Sequence, residues 1–128
     1  MIDRFHHIYV QASDFERSLA FYRDTLGWSV TRTWGEKKGE ARGAILSGGG
    51  IKVVVAEGGK RAKRADDGPG VFLDIHDIDA RFKAIPKGEH VVIPPGPTKW
   101  GTRWFVVKDP DGNQIAFEEV HSFHRNRG

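Results

Sequence analysis

The sequence predicts an α+β fold in which one β-α-β-β-β module is used twice in tandem. Three observations carry this expectation: an alternating segment that runs into an amphipathic helix near the start, a train of short β-prone stretches behind it, and a second half that repeats the first. The chain has 128 residues, 16 of them Gly. That length suits a single domain, residues 1–128, and the glycine content points to many turns between short strands.

Residues Phe5 to Gln11 alternate as a half-buried strand does. Ser13, with Glu16 three positions on, gives the capping-box signal of a helix start. Phe15, Leu19, Tyr22 and Leu26 then recur along one helical face, and Gly27 stands where a left-handed C-cap takes glycine. Trp28 to Trp34, Ala44 to Ser47 and Ile51 to Glu57 follow as strands, parted by Gly or charged turns. Laid over the first half, the second half matches it: His7–Phe15 falls on Gly70–Ile78, Leu19 and Tyr22 on Phe82 and Ile85, and Gly50–Glu57 on Gly112–Glu119. Apolar positions coincide, and Asp14 falls on Asp77, the same helix start. Asp109–Gly112 is a tight-turn signal that joins Trp104 to Lys108 and Gln114 to Val120 as a hairpin. The first module therefore covers about residues 1–60 and the second about 68–120, with a polar tail at 121–128.

Composition removes several function classes. The chain has no Cys, so disulfide scaffolds, thiolate nucleophiles, iron–sulfur clusters and Cys-ligated zinc are excluded, and any metal would need His, Asp or Glu. No apolar run approaches the roughly 18 residues of a membrane span, and Asp3 and Arg4 break the start of any leader. A cytoplasmic protein with no membrane partner is expected. The net charge of +3 is concentrated in Lys60, Arg61, Lys63 and Arg64. No aromatic is interleaved there to stack a base, so the segment reads as a solvated loop and nucleic acid is not expected as a partner.

Two such modules, opening with HIYVQASDFERSLAFYRDTLGW and closing with VVKDPDGNQIAFEEV, resemble the vicinal oxygen chelate superfamily of glyoxalases, extradiol dioxygenases, fosfomycin-modifying enzymes and bleomycin-resistance proteins. The resemblance covers essentially the whole chain and implies a curved, half-barrel mixed sheet with helices on its convex side. It also implies a homodimer, since open half-barrels leave edge strands and apolar rims to be covered.

In the metal-dependent members a divalent ion is held by His or Glu from equivalent strands of both modules, and it stabilises charge that develops on two substrate oxygens. Carried over by register, the first ligand position falls on His7, the third-strand position on Val54, its repeat mate on Ala116, and the repeat mate of His7 on Gly70. One imidazole does not hold a catalytic metal that needs about three protein ligands. No metal ligand and no cofactor are therefore expected. The alternative is a divalent ion in a rebuilt site using Asp74 or Glu118. Glu118 stands about 6 to 7 Å along its strand from the family position and Asp74 about 13 Å, and Lys52 on the same face would repel a cation.

What the register leaves is a small-molecule pocket. Tyr9, Val54, Phe72, Trp104 and Ala116 are expected to offer its apolar surface; Lys52, Asp74, Glu118 and Trp100 complete the ligand-binding set. Lys52 or Arg103 is expected as a charged corner, favouring a planar ligand with a neutral or anionic group. His7 is the candidate catalytic group, as a general base. The expected function is a glyoxalase/bleomycin-resistance/dioxygenase-like protein that binds a small aromatic compound without metal. The alternative is a metal-dependent lyase or dioxygenase of the same superfamily, and whether the chain is an enzyme at all is left open.

Overall fold

The computed structural model describes residues 1–58 and 68–119. The chain divides into two compact units, Met1–Ala62 and Lys63–Gly128. In the first, β1 (Ile8–Ala12) leads into α1 (Phe15–Ala20), and β2 (Ser29–Trp34), β3 (Gly43–Ser47) and β4 (Lys52–Glu57) follow. In the second, β5 (Pro69–Asp74) leads into α2 (Ile78–Lys83), and β6 (Val91–Pro97), β7 (Arg103–Lys108) and β8 (Gln114–Glu119) follow. The sheets have the same topology, β1-β4-β3-β2 and β5-β8-β7-β6. In each, the first and last strands of the unit pair in parallel and the other pairs are antiparallel. These are two mixed four-stranded sheets with one short helix apiece, the α+β class expected.

The repeat read in the sequence reappears as register. Tyr9 pairs with Val54 in the first sheet, and their repeat mates Phe72 and Ala116 pair in the second. The helix starts agree as well, but with a correction. Asp14, not Ser13, caps α1, its carboxylate accepting from the backbone N–H of Arg17; Asp77 caps α2 in the same way through Ala80. A carboxylate there also meets the positive end of the helix dipole, which a serine hydroxyl does not do.

Beyond α1 the helix widens into a π-helical segment, Phe21–Thr25, in which the Leu26 N–H reaches the Phe21 carbonyl at 2.9 Å. The wider turn brings Phe21 as well as Tyr22 to the core, where simple helical spacing singles out Tyr22 alone. Gly27 follows at φ +78°, the left-handed stop expected.

Strand alternation separates two faces in each sheet. Val10, Ala12, Leu46, Val53 and Val55 form the buried face of the first with Phe15 and Tyr22. In the second, Phe105 stacks on Phe117 at 4.7 Å and meets Phe82 of α2 edge-on at 5.1 Å. The opposite face of each sheet is more open and carries the candidate site residues. The basic segment Lys60–Arg64 and the tail 121–128 lie outside the described residues, as does Val120.

Candidate functional site

On the open face of the second sheet, two rows of side chains run across the strands. One is Phe72, Ala116 and Val106; the next is Asp74, Glu118 and Trp104. Ala116 and Val106 are fully buried, so Ala116 supplies floor rather than ligand surface. Above that floor the rings gather: Phe72 stacks on Trp104 with centroids 6.2 Å apart and planes 18° apart, and Trp100 meets Trp104 edge-on at 5.3 Å. Phe72 is 51% exposed and Trp100 57% exposed. Large aromatic surface left open on a sheet face is the unusual feature, because a sheet buries such side chains when they serve the core alone.

Glu118 anchors this cluster. Its Oε2 accepts from Trp100 Nε1 at 2.5 Å and from Thr102 Oγ1 at 2.7 Å. Trp100, Trp104, Phe72 and Glu118 are thus brought together, with Asp74 exposed beside them.

Arg103, expected as a charged corner, does not join. It has the parity of Phe105 and Val107, turns to the helix side, and makes a two-pronged ion pair with Asp79 of α2 at 2.9 and 3.3 Å. Those hydrogen bonds hold the Asp79 carboxyl below the usual carboxylate range and push the Arg103 guanidinium up.

The open face of the first sheet is less aromatic. Tyr9 is 57% exposed and pairs with Val54, which pairs in turn with Ile45. His7 and Lys52 precede Ile8 and Val53, where the pairing of β1 with β4 begins, and Lys52 pairs with Ser47 of β3. His7 is half-buried, and its Nδ1 lies 2.6 Å from Nδ1 of His6 with the two rings edge to face.

Two contributors escaped the sequence reading. Thr102 has the same strand parity as Trp104, which could have placed it on this face. Trp34, read only as a strand end, pairs with Gly43, which pairs with Ala56 and through it with Gln11. A Cβ at Gly43 would come within 2.1 Å of Cε2 and Cζ2 of the Trp34 indole, so the ring lies directly over the glycine. The signal was a tryptophan facing two small residues, but it appears only once the register is known.

A metal of the kind held by chelate enzymes finds few donors here. At the positions that resemblance assigns to ligands stand His7, Val54, Gly70 and Ala116. Among the described residues no three His, Asp or Glu side chains gather closely enough to hold an ion. The donor set does not fit the group.

The fold defines a class: a tandem β-α-β-β-β protein, here with a half-open aromatic cluster on the second sheet. Comparison with known proteins then fixes the family, since the model of the Glyoxalase/Bleomycin resistance protein/Dioxygenase superfamily matches residues 4–117 and the chain belongs to that superfamily. A Synechocystis protein named "Probable lactoylglutathione lyase" is 32% identical over 124 residues, covering 91% of this chain and 95% of the relative. A Haemophilus influenzae "Lactoylglutathione lyase" is 28% identical, covering 91% and 92%. A solved structure of a superfamily member from Sphaerobacter thermophilus is 29% identical, covers 92% of this chain and 98% of that one, and superposes with a TM-score of 0.68. No helix among the described residues is long and apolar enough to cross a membrane.

Proposed function

We propose that this chain binds a small aromatic compound on the open face of its second module and that no metal takes part. The observation that carries the reading is the half-open cluster of Phe72, Trp104 and Trp100 around Glu118. A planar ring laid on such a surface gains about 1 to 3 kcal/mol from one stacked aromatic contact, and a single oriented polar group beside it fixes the pose. The donor set supports the metal-free half of the reading, because three of the four positions that would hold an ion carry Val, Gly and Ala. On the first module, taken by itself, Tyr9, Val54 and Lys52 are proposed to offer a ligand surface of their own.

A second reading is a metal-dependent lyase or dioxygenase with a rebuilt site using Asp74 or Glu118; a third is a metal-free enzyme in which His7 acts as general base. The names of the curated relatives favour a lyase. The reading further takes the chain to be a cytoplasmic homodimer. Each sheet ends in strands whose outer backbone groups its own sheet leaves unpaired, and a second copy is an economical cover. A cysteine-free chain has nothing to lose in a reducing compartment.

Elemental analysis of protein purified without chelators, joined to a thermal-shift series with divalent ions, separates the readings. The metal-free reading expects no stoichiometric metal and a shift of no more than about a degree or two. A native-state binder at a hundredfold its Kd would add about 2.7 kcal/mol, several degrees at this size. Stoichiometric Zn, Ni, Mn or Fe, with a stabilising shift abolished by His7→Ala, would overturn it. Sedimentation at micromolar concentration tests the dimer, and a monomer refutes it.

A further inference from the structure

The aromatic face is organised around one carboxylate, and the way that carboxylate is held narrows what the face can take. Both donors to Glu118 come from the five-residue segment Thr98–Thr102, which is clasped at its ends. The Thr98 N–H donates to the Thr102 carbonyl at 2.8 Å, the Thr102 N–H donates to Thr98 Oγ1 at 2.9 Å, and the two hydroxyls lie 2.8 Å apart. Gly101 at φ +96° makes the return bend that a side chain would resist. The clasp therefore sets both Trp100 and Thr102 before any ligand arrives, and both aim at Oε2.

Two consequences follow from the chemistry of these donors. An indole N–H and a hydroxyl are neutral, so they orient the carboxylate without compensating its charge. Among the described residues neither donor reaches the second oxygen, Oε1. Lys99, inside the clasped segment, is exposed, and Arg103 is committed to Asp79 on the opposite face; among the described residues neither makes an ion pair with Glu118. Beside the carboxylate stand the faces and edges of Trp104, Trp100 and Phe72, and aromatic faces attract cations and planar N–H donors while an anion there meets negative π density.

Resting on the reading that this face binds an aromatic compound, we propose that Glu118 makes it selective for a planar ligand bearing a cationic N–H-rich group, such as an amidine, a guanidine or an aminopyridinium. The ring stacks on Trp104 and the N–H groups donate to Glu118. Trp100 and Thr102 act as positioning residues, and Glu118 sets specificity. This reverses the preference for a neutral or anionic group that follows from placing Lys52 or Arg103 at the site.

The test uses three nearly isosteric probes, benzamidine, benzamide and benzoate, titrated against the full chain by ligand-observed NMR. Wild type should bind benzamidine at least tenfold more tightly than benzoate, with benzamide between. Glu118→Gln should weaken benzamidine by tenfold or more and change benzamide by less than threefold. Equal or preferential binding of benzoate by wild type would overturn the inference while leaving the aromatic face standing, and this arm needs no variant. An equal loss of all three probes in Glu118→Gln would make Glu118 a structural residue and also overturn it. Failure of every probe on wild type would remove the reading of the face and this inference together.

Discussion

Replacing Gly43 by Ala is expected to destabilise the first module through one contact, the indole of Trp34. Gly43 lies in ordinary strand backbone, outside the left-handed region, so alanine meets no conformational objection there. Its Cβ, however, would stand within 2.1 Å of the Trp34 ring, and the ring must leave. A tryptophan side chain of roughly 250 Å² that remains 38% exposed has about 150 Å² covered. Losing half of that cover, at about 25 cal/mol per Å², costs about 2 kcal/mol. The glycine-to-alanine change offsets about 0.5 to 1 kcal/mol by restricting the unfolded chain. The net loss is then about 1 to 1.5 kcal/mol, a fall in Tm of roughly 3 to 7 °C at this size. Urea denaturation of the two single variants and Trp34→Ala/Gly43→Ala measures the coupling directly. In the Trp34→Ala background, Gly43→Ala should be neutral or slightly stabilising. An undiminished loss in that background would refute the reasoning, because the clash would then lie elsewhere.

Acid should weaken the fold in a defined direction. Hydrogen bonds from Arg103 to Asp79, from Arg42 to Glu57 and from Arg23 to Asp24 hold these three carboxyls below their usual range. A carboxyl whose folded pKa is depressed contributes fully above its unfolded pKa and loses the contribution as pH falls through the folded one. Urea midpoints should therefore be level in these contributions above about pH 5 and decline toward pH 3. Arg103→Gln should make that decline shallower, and an unchanged slope would refute the assignment. At the β7–β8 turn, buried Asp109 accepts from Asp111 N–H at 3.0 Å, Asn113 N–H at 2.8 Å and Asn113 Nδ2 at 2.8 Å. Asp109→Ala should cost about 2 to 4 kcal/mol by leaving these donors unmet, with Asp109→Asn milder. A loss under about 1 kcal/mol in urea would count against that role.

The architecture was legible because the repeat carries register. Matching Gly50–Glu57 to Gly112–Glu119 anticipates that Tyr9–Val54 and Phe72–Ala116 are equivalent pairs, which the sheets show. Period-two alternation likewise put Phe105 and Val107 on the helix side; carried two residues back, it also places Arg103 there, beside Asp79. The seat of Trp34 was not legible, since it depends on how β2 meets β3 across an irregularity between Val30 and Arg32. Nor was the clamp on Glu118, which arises from a loop whose two threonines close on each other. The swap of cap from Ser13 to Asp14 is a one-residue choice between two good capping side chains, and the helix dipole favours the charged one.

The central claim, an aromatic ligand held without metal, is tested most directly by tryptophan fluorescence of chelator-treated protein. A panel of small aromatic compounds is titrated against wild type and Trp104→Ala with chelator present throughout. The account predicts saturable quenching of wild type that the chelator leaves unchanged, and an affinity lower in Trp104→Ala by about 1 to 3 kcal/mol, the scale of one stacked aromatic surface. Binding that appears only after Zn, Ni, Mn or Fe is restored, and disappears in His7→Ala, would contradict it.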